Sequence, residues 1–250
     1  MNLPNFICVG AQKAGTTTLY TLLNQHPDIC FPKEKETHYF INGEDKYSQG
    51  ITWYSDRFFK HCQKDKLIGE ISPGYIYMDY VPKRIYNDLG ADTKLIFMLR
   101  NPVDRAYSNY LMAQRRAEEN LDFSSAIRKE KERISENESS HIRFSYAHRG
   151  LYSQQIERYL QYFPIENMFF IIFETDLIQN TDKTMQKLCD FLEVPHFAFN
   201  TGIKSNPARK AKSKTLMQLI YSDQYLSVRK MLKSFLPSKR LREKLKFRLS

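Results

Sequence analysis

Two short stretches of this 250-residue chain carry residue types at spacings that can grip an anion. The first is Gly10-Ala11-Gln12-Lys13-Ala14-Gly15-Thr16-Thr17. Two glycines bound a tight loop with a lysine inside it, and the loop runs into a helix start at Thr16. Backbone N–H groups converge at such a start, and the helix end carries a partial positive charge of roughly half a unit. Lys13, with the backbone of Ala14, Gly15, Thr16 and Thr17, therefore suits a phosphate-like group. The second stretch runs from Leu99-Arg100-Asn101-Pro102 to Tyr107-Ser108. It sets a guanidinium at the end of an apolar run and a hydroxyl two turns along the next helix, beside the crevice where open α/β sheets bind ligands. Taken alone, Arg100 reads equally well as the partner of a structural carboxylate and Ser108 as a solvent-facing hydroxyl. The agreement of two separate stretches favours an anion site.

The position of the lysine narrows the anion. The triphosphate-binding pattern G-x-x-x-x-G-K-[ST] puts lysine after the second glycine, whereas Lys13 lies inside the loop, which points away from ATP. In that class a strand ending in Asp helps to hold magnesium, and the corresponding strand here ends in Arg100. Direct binding by protein groups, with no metal ligand set, is the expectation.

These residues need a scaffold, and the pattern of the chain supplies one. β-type runs at Phe6–Val9, Leu67–Glu70, Lys94–Leu99 and Met168–Phe173 alternate with helical patterns, which predicts an α/β fold with a parallel sheet flanked by helices. The continuously apolar runs 95–99 and 168–173 read as central strands covered on both faces. Helices are expected at Thr16–Gln25, Val81–Leu89, Pro102–Arg116, Phe123–Glu136, Tyr152–Tyr162 and Thr181–Leu192, with Asn101 as cap and Pro102 in the first turn. The polar stretch Glu130–Ser140 reads as a solvated helix end or mobile loop.

Composition sets outer limits. The length fits one domain, 1–250, with a core over 1–214 and a basic helical extension over 215–250. A net charge of +10 favours anionic partners, and the absence of a helix-turn-helix, zinc-finger or RNP-like signature argues against nucleic acid. No apolar run reaches the roughly 18 residues of a membrane span and the amino terminus lacks a signal-peptide pattern, so a cytoplasmic location is expected. The basic amphipathic end also suits peripheral contact with an anionic membrane, although packing on protein is the commoner use. Cys8, Cys30, Cys62 and Cys189 show no metal-type spacing and read as buried free thiols.

With these residues in view, a family resemblance can be stated. The displaced-lysine loop and the unit Arg100-x-Pro102-x-x-Arg105-x-x-Ser108-x-Tyr110 resemble the sulfotransferases that use 3′-phosphoadenosine 5′-phosphosulfate (PAPS). Lys35-Glu36-Thr37-His38-Tyr39-Phe40, Gly69-Glu70-Ile71-Ser72-Pro73-Gly74-Tyr75 and Val81-Pro82-Lys83-Arg84-Ile85 continue the likeness, closest to the heparan sulfate N- and O-sulfotransferase branch and its bacterial relatives. It covers about residues 6–214 and implies a P-loop-NTPase-like central parallel sheet. By this resemblance Lys13 and the backbone of 14–17 hold the 5′-phosphosulfate, and Arg100 and Ser108 hold the 3′-phosphate. PAPS is then the donor and adenosine 3′,5′-bisphosphate (PAP) the product, with no metal. Glu36 matches the branch's catalytic base; His38 is the rival, since cytosolic sulfotransferases use a histidine, and a hydrogen-bonded core role suits it as well.

Two departures bear on detail. Ile71 stands where the heparan branch commonly has lysine, and its cysteine-bridged cofactor loop is replaced by the basic run 204–214, from which Arg209, Lys210 or Lys212 is expected to reach phosphate. The acceptor, a hydroxyl or amine of a carbohydrate, glycolipid or small metabolite, is expected among loops 40–54, 72–80 and 114–152, with aromatic and polar lining. A non-catalytic adenine-nucleotide or phosphate-binding module is the competing reading.

Overall fold

The computed structural model describes residues 1–41, 46–63 and 65–202. Its elements, in chain order, are β1 (Phe6–Gly10), α1 (Thr16–Leu23), β2 (Ile29–Cys30), α2 (Gly50–Phe58), β3 (Leu67–Ile71), α3 (Val81–Leu89), β4 (Lys94–Leu99), α4 (Pro102–Arg115), α5 (Phe123–Arg128), α6 (Glu130–Ile134), α7 (Glu138–Arg143), α8 (Tyr152–Leu160), β5 (Met168–Ile172) and α9 (Thr181–Leu192). They fall into two compact units, one holding residues 1–101 and 151–202 and the other residues 102–150.

The first unit is built on a five-stranded sheet in the order β2-β3-β1-β4-β5, with every neighbouring pair parallel. β1 is buried along its whole length, and Phe6 lies opposite Gly69 on one side and Lys94 on the other. Parallel pairing requires each connection to cross over the sheet, so apolar residues are needed on both faces. That accounts for the unbroken run Leu95–Met98, all fully buried. Helix ends follow local chemistry: Pro82 lies in the first turn of α3, and Gly90 stops it with φ 86.

Two expectations for this unit need correction. The run beginning at Met168 forms the edge strand β5 and is not central, and Ile172 is 39% exposed. Its apolar character comes from its faces, since Phe169 packs on Phe191 of α9 and Phe170 stacks on Phe97. Cys30 and Cys62 are disulfide-bonded, with Cα atoms 5.9 Å apart across 32 positions of sequence, so only Cys8 and Cys189 are buried free thiols. The pair comes together because β2 lies beside β3 and the chain returns to its end after α2. The element α2 itself and the two-residue β2 were not foreseen.

In the second unit, Arg105 of α4 is fully buried and donates to the Tyr146 carbonyl, while Asn109 donates to the Ser145 carbonyl at 3.3 Å. The helix expected over 123–136 divides at Lys129, which caps both α5 and α6. Glu130 opens α6, and its buried carboxylate accepts the N–H groups of Ala147 and His148 at 2.9 and 2.8 Å. The polar stretch 130–140 is largely exposed, as a solvated helix end would be, with Glu130 and Ser140 buried at its two ends. It includes α6 and the start of α7, whose cap is the Asn137 side chain accepting from the Ser140 N–H at 2.9 Å.

Candidate active site

The glycine-bounded loop lies between β1 and α1. Lys13 and Gly15 both have left-handed backbones, φ 74 and 91. A Cβ on Gly15 would sit 2.7 Å from side-chain carbons of Leu177 and Phe173, so this position demands glycine twice over. No side chain caps α1, and the first-turn N–H groups of a helix have no partner within it. Ala14 and Thr16 are buried and Thr17 is exposed.

Arg100, directly after β4, is brought to this loop: its Nη1 donates to the Lys13 carbonyl at 3.1 Å. Its guanidinium carbon lies 4.8 Å from the centre of the Phe173 ring, and Nε is 4.0 Å from a Glu174 oxygen. The Glu174 carboxylate also accepts the Asn101 N–H at 3.0 Å, and Tyr152 Oη donates to the Arg100 carbonyl at 2.9 Å. Ser108 is buried on α4 of the second unit. Arg209, Lys210 and Lys212, and the extension over 215–250, lie outside the described residues.

Glu36 and His38 face one another, with Nε2 of the imidazole 3.4 Å from Oε2 of the carboxylate. Both side chains are about one-third exposed, at 32% and 37%. Burial lowers the His38 pKa from its usual value, against the opposing pull of Glu36, so the ring is biased toward the neutral form that can accept a proton. Lys35, not singled out from the sequence, joins the two regions. Its Nζ lies 2.9 Å from Glu36 Oε1 and 3.4 Å from Thr17 Oγ1. The carboxylate is thereby tied to the first turn of α1. Cys8, fully buried within β1, offers no thiolate, because burial pushes its pKa up to about 12.

Several aromatics expected to line an acceptor pocket instead form the floor beneath this segment. Phe40, Tyr54, Tyr75 and Tyr77 are buried, and Tyr39 stacks on Tyr54 with ring centres 4.1 Å apart. Arg84 donates to the Phe40 carbonyl at 2.9 Å and lies 4.2 and 4.5 Å from the ring centres of Tyr47 and Tyr80. Alternating aromatic and polar types cannot tell a floor from a lining; only the direction of the backbone can.

A parallel sheet whose first strand feeds a glycine-bounded loop and a helix start, with a cationic side chain after β4, defines a P-loop-like α/β fold. Residues 3–236 match the family model for the sulfotransferase domain, and the chain belongs to that family. It is 32% identical over 196 residues to heparan sulfate glucosamine 3-O-sulfotransferase 5 of Mus musculus, covering 77% of this chain and 54% of the relative. It is also 41% identical over 110 residues to the membrane-associated sulfotransferase kil1 of Dictyostelium discoideum, covering 43% and 22%. The chain thus spans about half, or less, of the length of these curated relatives. A sulfotransferase crystal structure from Alicyclobacillus acidocaldarius superposes with a TM-score of 0.71 at 29% identity, covering 96% of this chain and 98% of that one.

Proposed function

We propose that this domain transfers a sulfuryl group from PAPS to a hydroxyl or amine of a glycan, glycolipid or small-metabolite acceptor, and that Glu36 takes the acceptor's proton. One observation carries the reading: Lys35 bridges the Glu36 carboxylate and Thr17 at the head of the anion loop, so a proton acceptor stands beside the place where an anionic donor would be held. The donor set suits a nucleotide that carries two anionic groups, because α1 is uncapped and Lys13, Lys35 and Arg100 supply cations around the loop. The relatives named for heparan sulfate support a glycan as the first acceptor to try.

Each residue then has a task. The N–H groups of residues 14–17 and the Lys13 ammonium hold the 5′-phosphosulfate, and they stabilise charge as it collects on the leaving phosphate oxygen. Arg100 holds the 3′-phosphate, with Phe173 and Glu174 fixing the guanidinium, and Ser108 is the family motif's further candidate for that group. Glu36 accepts the proton of the attacking group, and neutral His38 beside it is the second acceptor. When bound, the donor supplies the sulfuryl group and leaves as PAP.

The test is transfer of radioactive sulfur from labelled PAPS to heparan sulfate, other polysaccharides, glycolipids and small alcohols and amines, with and without a strong chelator. Transfer that persists in chelator is expected, since the positive partners are all protein groups. Binding of PAP with no transfer to any class would leave a non-catalytic nucleotide-binding module. Transfer lost in chelator and regained with magnesium would overturn the metal-free mechanism.

A further inference from the structure

Glu70, on β3, is fully buried, and it meets hydroxyl groups. Thr37 Oγ1, Ser72 Oγ and Tyr75 Oη donate to its Oε1 at 2.5, 2.6 and 2.7 Å, and Tyr54 Oη donates to Oε2. Burying a carboxyl group costs several kcal/mol unless its oxygens are fully served, and an apolar side chain of the same size would avoid that cost. Stability alone therefore gives this cluster no advantage. Its effect on the backbone is more specific.

Thr37 lies between Glu36 and His38. Its Oγ1 donates to Glu70 and accepts the Tyr39 N–H at 3.2 Å, while its carbonyl accepts from Lys46 Nζ at 2.7 Å. On either side of this anchor, the His38 N–H reaches Ser72 Oγ at 3.5 Å and the Phe40 N–H reaches Tyr75 Oη at 3.3 Å. Three of the hydroxyls that serve Glu70 thus also hold the backbone of residues 37–40. His38 has φ 54, a left-handed conformation that a non-glycine residue keeps only where its surroundings fix it. With Thr37 turned inward, Glu36 and His38 are left on the open side with their charged and imidazole groups in contact.

We propose that Glu70 is the positioning residue of the active segment: through the Thr37 hydroxyl it sets the Glu36–His38 pair beside the anion loop without touching substrate. The inference rests on the proposed roles of Glu36 and His38, but the anchor can be tested apart from activity. Thr37→Val removes the hydroxyl and keeps the shape, Thr37→Ser restores the hydroxyl, and Tyr54→Phe removes a Glu70 donor that bonds no backbone group of residues 36–40 while keeping the ring stacked on Tyr39. The readouts are the His38 titration, by NMR of histidine-labelled protein, and kcat against the Kd for PAP. Because burial and the charges of Glu36, Lys46, Glu70 and Lys35 all act on the imidazole, its midpoint reports the geometry of the whole segment.

In Thr37→Val the His38 midpoint is expected to rise toward its ordinary value near 6.5. kcat is expected to fall by about 100-fold, the usual effect of a misplacement on the order of 1 Å, with the Kd for PAP within about twofold of wild type. Thr37→Ser should restore both, and Tyr54→Phe should lower the melting temperature while leaving the His38 titration in place. If Thr37→Val does not fold, Ser72→Ala takes its place, since it removes both a Glu70 donor and the acceptor of the His38 N–H. Thr37→Val or Ser72→Ala with an unmoved His38 midpoint would overturn the anchor, and so would an equal shift in Tyr54→Phe. If the wild type transfers no sulfuryl group, the proposed function fails and the NMR readout still decides the anchor.

Discussion

Replacing Gly15 by alanine tests how tightly the anion loop is built. Two costs add at this position. A side chain at φ 91 is strained by about 1–2 kcal/mol. Its Cβ would also lie 2.7 Å from Leu177 Cδ2 and from Phe173 Cδ2, closer than packed carbons approach, and relief of such overpacking costs about 1–3 kcal/mol. The sum is about 2–5 kcal/mol. Gly90 isolates the backbone part, because its φ is 86 and a Cβ there meets nothing within 4 Å, although its ψ of 170 lies in a region open essentially to glycine alone whereas Gly15 has ψ 12. Gly90→Ala should therefore show backbone strain alone, about 1–3 kcal/mol. The steric part has a second consequence: Phe173 carries the Arg100 guanidinium on its ring, so pushing it aside should also weaken binding of PAP. Urea denaturation gives the stabilities and calorimetry the Kd. A Gly15→Ala protein within about 0.5 kcal/mol of wild type, binding PAP as tightly, would refute the packing argument.

Two further outcomes follow from the same geometry. PAP should bind at least about tenfold more tightly than adenosine 5′-monophosphate, since a charge-assisted hydrogen bond is worth about 1.5–3 kcal/mol, and Arg100→Ala should erase most of that preference; equal affinities by calorimetry would remove Arg100 from the 3′-phosphate. Cys62→Ser should destabilise the protein by about 3–4 kcal/mol, the loop-closure entropy of a 32-position link, and a loss below about 1 kcal/mol in urea would argue against the Cys30–Cys62 bond.

What could be read from the sequence was whatever has a local cause. The strands and helices around the anion loop follow from apolar runs, glycines and prolines, and Val81–Leu89 and Thr181–Leu192 keep the expected bounds. Features that depend on distant partners were not legible. β2 is two residues long and exists because β3 lies beside it, and the Cys30–Cys62 bond depends on the same adjacency. The edge position of β5 was hidden because apolar faces look alike in central and edge strands. Lys35 and Glu70 stood in the motifs quoted, but their importance comes from Thr17 in one case and from four hydroxyls spread over residues 37–75 in the other. A sequence shows the donors and not the point on which they converge.

If Glu36 takes a proton from an acceptor while the loop holds the donor, Glu36→Gln separates these two tasks. The amide keeps the size of the side chain but cannot serve as a base. Transfer from labelled PAPS should fall by about 10²–10⁴-fold, the usual worth of a general base, while the Kd for PAP stays within about twofold of wild type. A Glu36→Gln protein that transfers the label at the wild-type rate would contradict the account, most sharply if His38→Ala, still folded and still binding PAP, had lost it.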